Sequence, residues 1–365
     1  MKLIYFSRDH TVHDQRFLDA LAGTGHQVGF LQLEKRAGSL DQDSLPQGIE
    51  SIPWAGGREP YHQGMRKALR DDLERVINNL QPDLIQAGPL HLSANLVAHT
   101  GFSPLVSMSW GYDLLYDAPR SNTVQEDIRF TLNHSAAMVG DCNTIRKLAV
   151  SYGMPDERIV TFPWGVDLEL YKPPVAYGNG HHPGKAFTLL STRGWEPIYG
   201  VDVIARAFVL AAQQQPQLRL VMLGNGSLSE TIQCILQNGG VMEKVSFPGQ
   251  IPQAELPAYY GSADLYLSAS HSDGTSISLL EALACGTPTL ISDIPGNREW
   301  VEPGVQGWWY PDGDAEALAA GILAAYEQRL RLPEMGLAAR QLAEERADWQ
   351  KNFPELFKAY RIALN

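Results

Sequence analysis

Short apolar runs rich in β-branched and aromatic residues alternate along the chain with longer stretches whose apolar positions recur every three or four residues. That alternation is the pattern of strand and helix in turn. It predicts strands at 3–6, 27–33, 82–86, 105–109 and 136–140, with helices at 14–24, 71–80 and 143–152. Strands separated by helices pair in parallel, so the first half reads as an α/β unit around a parallel sheet. The segment KPPVAYGNGHHPGK then breaks the periodicity with Pro and Gly and reads as a linker. After it the pattern restarts, with strands at 187–190, 218–223, 245–247 and 265–268 and helices at 201–214 and 276–285. The expected organisation is a first domain over 1–171, a linker over 172–186 and a second domain over 187–345. Residues 346–365 follow, with a helix over 349–364 returning to the first domain. Two such α/β halves place a ligand in a cleft at the carboxyl ends of their strands.

Composition narrows the partners. A chain of 365 residues divides naturally into two domains and can bury a core without disulfide or metal staples. Its 41 acidic against 29 basic residues leave a net charge of −12, which argues against a nucleic-acid partner. Cys142, Cys234 and Cys285 are odd in number and lack CxxC spacing, so reduced thiols and a reducing compartment are expected. No apolar run reaches the ~18 residues of a membrane span, and the opening MKLIYFSRDH is too short for a signal peptide. A cytoplasmic protein, monomeric or dimeric, is the expectation.

Chemistry concentrates between Ser268 and Trp300. There a strand runs into Asp273, Gly274, Thr275 and Ser276, followed by a helix carrying Ile277, Ser278 and Glu281. Small residues at a helix entrance let backbone amides approach an anion, and the helix dipole favours negative charge. Phosphate is the natural guest. Two carboxylates flanking such a terminus cannot hold the phosphate themselves and suit hydroxyls on either side of it. The plainer alternative is that Asp273 caps the helix and Glu281 is a solvated helical residue. A second cluster, STRGWEPIYG, follows a strand directly, and Arg193 there offers a planar donor for a diphosphate. Its alternative is a structural ion pair, with Glu196 as a candidate partner. The first strand is followed by SRDHTVHDQR, which supplies Arg8, His10, His13 and Arg16 or is merely a polar surface loop.

Other features carry less. The pairs Asp41/Asp43 and Asp312/Asp314 and the dipeptide His181-His182 are weak metal candidates, Asp314 being an ordinary N-cap, and no metal or cofactor is expected. Segment 58–70, REPYHQGMRKALR, holds four basic residues beside Tyr61, Met65 and Leu69. A solvated helix face is its favoured reading, and weak peripheral contact with a membrane surface is the other.

The 268–300 stretch, followed by VEPGVQGWWYPDGDAEALA, resembles the carboxylate-pair signature of retaining GT-B glycosyltransferases of family 4. GHQVGFL, ERIVTFPWGVDLELYKP, GVDVIARAF and VMLGNG are similar to other segments of that family, so the likeness spans nearly the whole chain. It implies two Rossmann-like domains with parallel sheets facing across a cleft. It also implies an enzyme that moves a hexose from a nucleotide sugar, UDP- or GDP-linked, to an acceptor hydroxyl on a glycan, glycolipid or small molecule. By the resemblance Glu281 would hold the donor ribose, and amides near Ile277 and Ser278 the diphosphate. Asp273 would contact the transferred sugar, and the segment from Gly249 through Gln250 to Ile251 the base. Arg193 would neutralise the leaving nucleotide, with Gly224 close by. Three departures stand out. Asp273 occupies a position usually held by Glu, Tyr199 stands where a Lys is usual, and Trp110 replaces a His while Gly111 and Asp113 are retained. Trp110 cannot accept a proton, which leaves Asp113 or the substrate's own phosphate as base. Arg8, Arg16 and His13 become candidates for the acceptor side or for the missing cation. A nucleotide-sugar-binding protein without transfer activity, serving as partner subunit or sensor, is the rival expectation, and an epimerase of the same fold a third.

Overall fold

The apolar runs of the N-terminal half pair into one parallel sheet. Its strands are β1 (Lys2–Ser7), β2 (Gln27–Gln32), β3 (Ile49–Ser51), β4 (Leu84–Gly88), β5 (Leu105–Met108), β6 (Ala137–Gly140) and β7 (Ile159–Thr161). They lie in the order β3-β2-β1-β4-β5-β6-β7. The computed structural model describes residues 1–36, 39–41, 44–174 and 186–365. Helices cover both faces of the sheet, which is why β1 and β4 are buried almost throughout rather than alternating. Ile4, Phe6, Leu31 and Ile85 pack with Leu69 and Leu73 of the helix Arg66–Leu80. The first crossover helix, Val12–Ala22, opens on a capping box in which Thr11 and Asp14 satisfy each other's amides.

The second sheet comprises β8 (Phe187–Ser191), β9 (Leu218–Leu223), β10 (Val245–Gly249), β11 (Leu265–Ser268), β12 (Thr289–Ser292) and β13 (Gly307–Tyr310). All its pairings are parallel, in the order β10-β9-β8-β11-β12-β13. The helices Val201–Gln214 and Ala315–Glu327 bury Ile204, Phe208, Leu318 and Ile322 against Leu189, Leu220 and Leu290 of the sheet.

Two compact units result, Met1–Phe162 with Phe353–Asn365, and Pro163–Asn352. The chain passes from one to the other earlier than the Pro- and Gly-rich segment suggests. Residues 163–174 pack with the second unit, where the Val166 amide donates to the Ala347 carbonyl at 2.7 Å and Tyr171 is buried against Tyr260. Residues 175–185 of the expected linker, His181-His182 and Asp43 lie outside the described residues. The expected helix over 349–364 is instead broken. Trp349–Asn352 stays with the second unit, a 3-10 turn covers Phe353–Glu355, and Leu356–Leu364 packs with the first. Pro354 lacks an amide hydrogen and interrupts the ladder there. The Tyr360 phenol, on the last helix, donates to the buried Gln86 amide oxygen of β4. No helix among the described residues is long and apolar enough to cross a membrane.

Candidate functional site

In the second unit the strand order reverses direction between β8 and β11, whose following segments lead to opposite sides of the sheet. The carboxyl ends of strands at such a reversal form a natural crevice. Arg193 leaves β8 there and meets the segment that leaves β11. Its Nη2 donates to Asp273 Oδ2 at 2.8 Å, and its Nη1 to Ser276 Oγ at 3.1 Å and Ser278 Oγ at 3.2 Å. The guanidinium also lies 4.0 Å from the centre of the Tyr199 ring. Burial opposes the charge on Arg193, but Asp273 foremost among its neighbours outweighs that and holds the group protonated above its usual range. The structural ion pair weighed as the alternative is present, but its partner is Asp273 and not Glu196. Glu196 instead accepts from the Ser227 amide at 3.0 Å and the Ser227 hydroxyl at 2.5 Å. Tyr199, which stands where a Lys is usual, supports the guanidinium with the face of its ring.

The helix after β11, Ile277–Ala284, is capped by Ser276, which accepts from the Leu279 amide. Asp273 is therefore not the cap. The amides of the first turn have no intrahelical partner, and the dipole concentrates positive potential at that end. Glu281 is no solvated helical residue either. It is 7% exposed and accepts from the Tyr260 phenol at 2.7 Å. Tyr260 in turn lies 2.9 Å from Thr192 Oγ1, next to Arg193. Burial first, then the charge of Glu281, pushes the Tyr171 phenol well up. The Tyr266 phenol donates to Ser278 at 2.8 Å. Gly274 and Thr275 are buried, and a Cβ at Gly296 would lie 2.2 Å from the Gly274 carbonyl and 2.5 Å from that of Asp273. The loop is thus pressed onto the helix Pro295–Arg298.

Gly224 has φ of 92°, and a Cβ there would sit 3.2 Å from the Arg193 carbonyl. At Gly226 it would sit 2.5 Å from the Trp195 carbonyl. These glycines admit the loop after β8 against the loop after β9, so their close approach is to the protein's own backbone. The Gln250 amide reaches Asn225 Oδ1 at 3.3 Å, and Ile251 packs half-buried on the apolar cluster around Leu223.

The first unit has its own reversal, between β1 and β4. Arg8 follows β1, His91 follows β4, and Trp110, Tyr112, Asp113 and Asp117 follow β5. Trp110 stands edge-on to Phe17 at 5.9 Å and 6.3 Å from the His13 ring, both on the helix that also carries Arg16. Asp113 is fully buried. It accepts from the Leu90 amide at 2.9 Å, the Ser109 hydroxyl at 2.5 Å and the Leu114 amide at 3.0 Å. Burial pushes its carboxyl up to about 6. A carboxyl enclosed in this way ties the loop after β4 to the turn after β5, and geometry gives it no reach to a substrate hydroxyl.

The cations of segment 58–70 are largely spent locally. Arg66 donates to Asp127 at 2.9 Å, Lys67 to Asp71 at 2.8 Å and Arg70 to Asp71 at 2.7 Å. Asp314 caps the helix Ala315–Glu327, Asp312 pairs with His271 at 2.7 Å, and no metal-holding cluster occurs among the described residues. No disulfide joins Cys142, Cys234 or Cys285 to another cysteine among the described residues. Tyr260, Thr192 and Tyr171 in the second unit, and His91, Tyr112, Asp117 and Glu34 in the first, carry no motif that singles them out. His91 alone could have been flagged, as a polar ring just past a buried strand.

Residues 179–361 match the family described as glycosyl transferases group 1, and residues 11–170 match glycosyltransferase family 4. A D-inositol 3-phosphate glycosyltransferase of Thermobispora bispora is 29% identical over 60% of this chain and 54% of its own. The stretch shared with that relative spans about half its length. A GDP-mannose-dependent α-(1-6)-phosphatidylinositol monomannoside mannosyltransferase of Mycolicibacterium smegmatis is 27% identical over 72% of each chain. Among solved structures, sucrose-phosphate synthase of Thermosynechococcus elongatus superposes with a TM-score of 0.82 at 18% identity, covering 99% of this chain and 98% of that one. The Anabaena protein HepE, in complex with UDP, gives 0.77 at 17%, covering 99% and 100%. The fold shared with these structures is GT-B, two Rossmann-like domains each built on a parallel sheet.

Proposed function

Because the chain belongs to the glycosyl transferases group 1, we propose that it transfers a hexose from a nucleoside-diphosphate sugar to an acceptor hydroxyl, with retention at the anomeric carbon. The second unit is the donor-binding half. The observation that carries this is the junction of Arg193, Ser276, Ser278 and the start of the helix Ile277–Ala284 at the β8/β11 reversal, with Glu281 buried behind it. A diphosphate seated there meets a charged planar donor and first-turn amides together. Glu281, held by Tyr260, accepts from ribose hydroxyls in this reading. Asp273 faces the transferred sugar and shares Arg193 with the departing phosphate. UDP and GDP are the donor nucleotides proposed.

The reaction is a same-face displacement. The bond from the anomeric carbon to the diphosphate oxygen breaks with its electron pair leaving on that oxygen. The acceptor oxygen bonds to the carbon on the same face, and its proton passes to the departing phosphate oxygen. Arg193 and the helix terminus stabilise the charge that develops, the task a metal ion performs elsewhere. This assignment needs no side-chain base, consistent with an enclosed Asp113 and with Trp110 in place of a histidine. We place the enzyme in the cytoplasm, where nucleotide sugars are available and cysteines that form no disulfide stay reduced.

The test is turnover, read as release of UDP or GDP in the presence of acceptor. Arg193→Ala and Glu281→Ala are each expected to lower it at least about tenfold, or ~1.4 kcal/mol of transition-state stabilisation. Near-normal rates in both variants would contradict the site assignment.

A further inference from the structure

The crevice at the β1/β4 reversal of the first unit holds a polar cluster that the donor chemistry does not use. His91 Nε2 lies 3.5 Å from Asp117 Oδ2, and its ring stands edge-on to Tyr112 at 6.5 Å. Arg8 lies against the Tyr112 phenol and donates from Nε to Glu34 Oε1 at 2.5 Å. The same Glu34 oxygen is 3.5 Å from Arg36 Nε. We propose that His91 and Asp117, flanked by Arg8 and Tyr112, form an acceptor subsite that recognises hydroxyl groups of an uncharged polyol, a neutral sugar or cyclitol. This rests on the transferase reading above and names the substrate class on its acceptor side.

Three observations carry the proposal. The first is position. The side chains come from the ends of β1, β4 and β5 and converge where open parallel sheets bind ligands. The side chains of Arg8 and Asp117 are 29% and 30% exposed, while Glu34 is 3% exposed, so the cluster has a solvent side and a closed back.

The second is charge. Both cations share a carboxylate at the closed back, and Asp117 adds a further negative charge at the rim. Burial first, then the charge of Arg8, pulls the His91 imidazole down to about 4, so it is neutral at physiological pH. The two arginine charges are balanced only by Glu34 and Asp117 together, so the cluster is neutral overall and exerts no net pull on a phosphate or carboxylate.

The third is hydrogen-bonding capacity. A neutral imidazole offers one donor and one acceptor, Asp117 offers acceptors, and the phenol offers either, a set that suits hydroxyls, which both give and take. The Asp117 carboxylate, 30% exposed, presents these acceptors on the solvent side, with the mostly buried His91 ring, 11% exposed, directly behind it.

The experiment is saturation-transfer NMR on the full chain with matched probes, myo-inositol against D-inositol 3-phosphate and glucose against glucose 6-phosphate. The neutral member of at least one pair is expected to bind more tightly than its phosphate. His91→Ala and, separately, the less disruptive Asp117→Asn should each weaken that binding about tenfold. UDP and GDP affinity, measured on the same samples by calorimetry, should stay unchanged, which also shows that the variants are folded. Tighter binding of both phosphorylated probes, silence from both neutral ones, or full neutral binding in both variants would overturn the proposal. Loss of nucleotide binding in the wild-type chain would instead refute the transferase reading, so the two failures are distinguishable.

Discussion

Arg193 gathers the polar contacts at the β8/β11 reversal in one side chain. Its fork spans Asp273 on one side and Ser276 with Ser278 on the other, a geometry a lysine cannot reproduce. Arg193→Lys is therefore expected to keep the charge yet lose part of the positioning. Turnover, followed by nucleotide release, should fall between the wild type and Arg193→Ala. Asp113 makes a different prediction. Its folded carboxyl titrates at about 6, above the ~3.9 of an exposed aspartate. The folded state therefore favours the protonated form. That contribution to stability is full below pH ~4 and is lost as the pH rises through about 6, a change of about 3 kcal/mol. Asp113→Asn, which cannot ionise, should flatten this part of the stability curve, as followed by thermal unfolding from pH 4 to 7. An unchanged slope would show that Asp113 is not the group that titrates. At this scale the sequence made Arg193, Asp273 and Glu281 legible, because they sit beside a recognisable loop and helix start. It could not show that Arg193 pairs with Asp273 rather than Glu196, nor that Tyr260 holds Glu281. Those partners come from elements up to 80 residues apart and are joined only by the fold.

The helix Ile277–Ala284 and its entrance loop are held in place from below. The absence of a side chain at Gly296 lets the Asp273 and Gly274 carbonyls sit directly on the helix Pro295–Arg298. Gly296→Ala would push a methyl into both carbonyls, and overpacking of this kind costs about 1–3 kcal/mol. The expected outcome is a lower melting temperature together with weaker UDP or GDP binding by calorimetry. A stability loss with unchanged nucleotide affinity would show that the loop does not need this seat. Elements with long periodicity were the readable ones. The helix Val201–Gln214 and the strands β9 and β11 fall where the pattern puts them. The strands β3 and β7, three residues each at the sheet edges, and β13, with Trp308 and Trp309 side by side, carry too little alternation to register. The C-terminal segment kept an amphipathic pattern across Pro354, which hid the break between its two helices.

Over the whole molecule, an acidic chain gathers buried cations such as Arg193 into small, well-furnished places. The net charge of −12 coexists with an Arg193 whose charge is held by Asp273 and backed by a helix terminus. Two α/β units with the same logic, each with polar side chains at its strand-order reversal, were legible from periodicity. The points where the chain passes between them were not, because residues 163–174 look like an approach to the linker yet pack as part of the second unit. Nucleotide binding by that unit should raise the apparent stability of the chain, by ~2.7 kcal/mol at a hundred times the dissociation constant. The most direct measurement is calorimetric titration of UDP and GDP into the wild-type chain, Arg193→Ala and Glu281→Ala. Saturable binding of one nucleotide to the wild type, weakened at least about tenfold in each variant, is the predicted result. Binding of neither nucleotide, or equal affinity in all three proteins, would contradict the placement of the donor at the β8/β11 reversal.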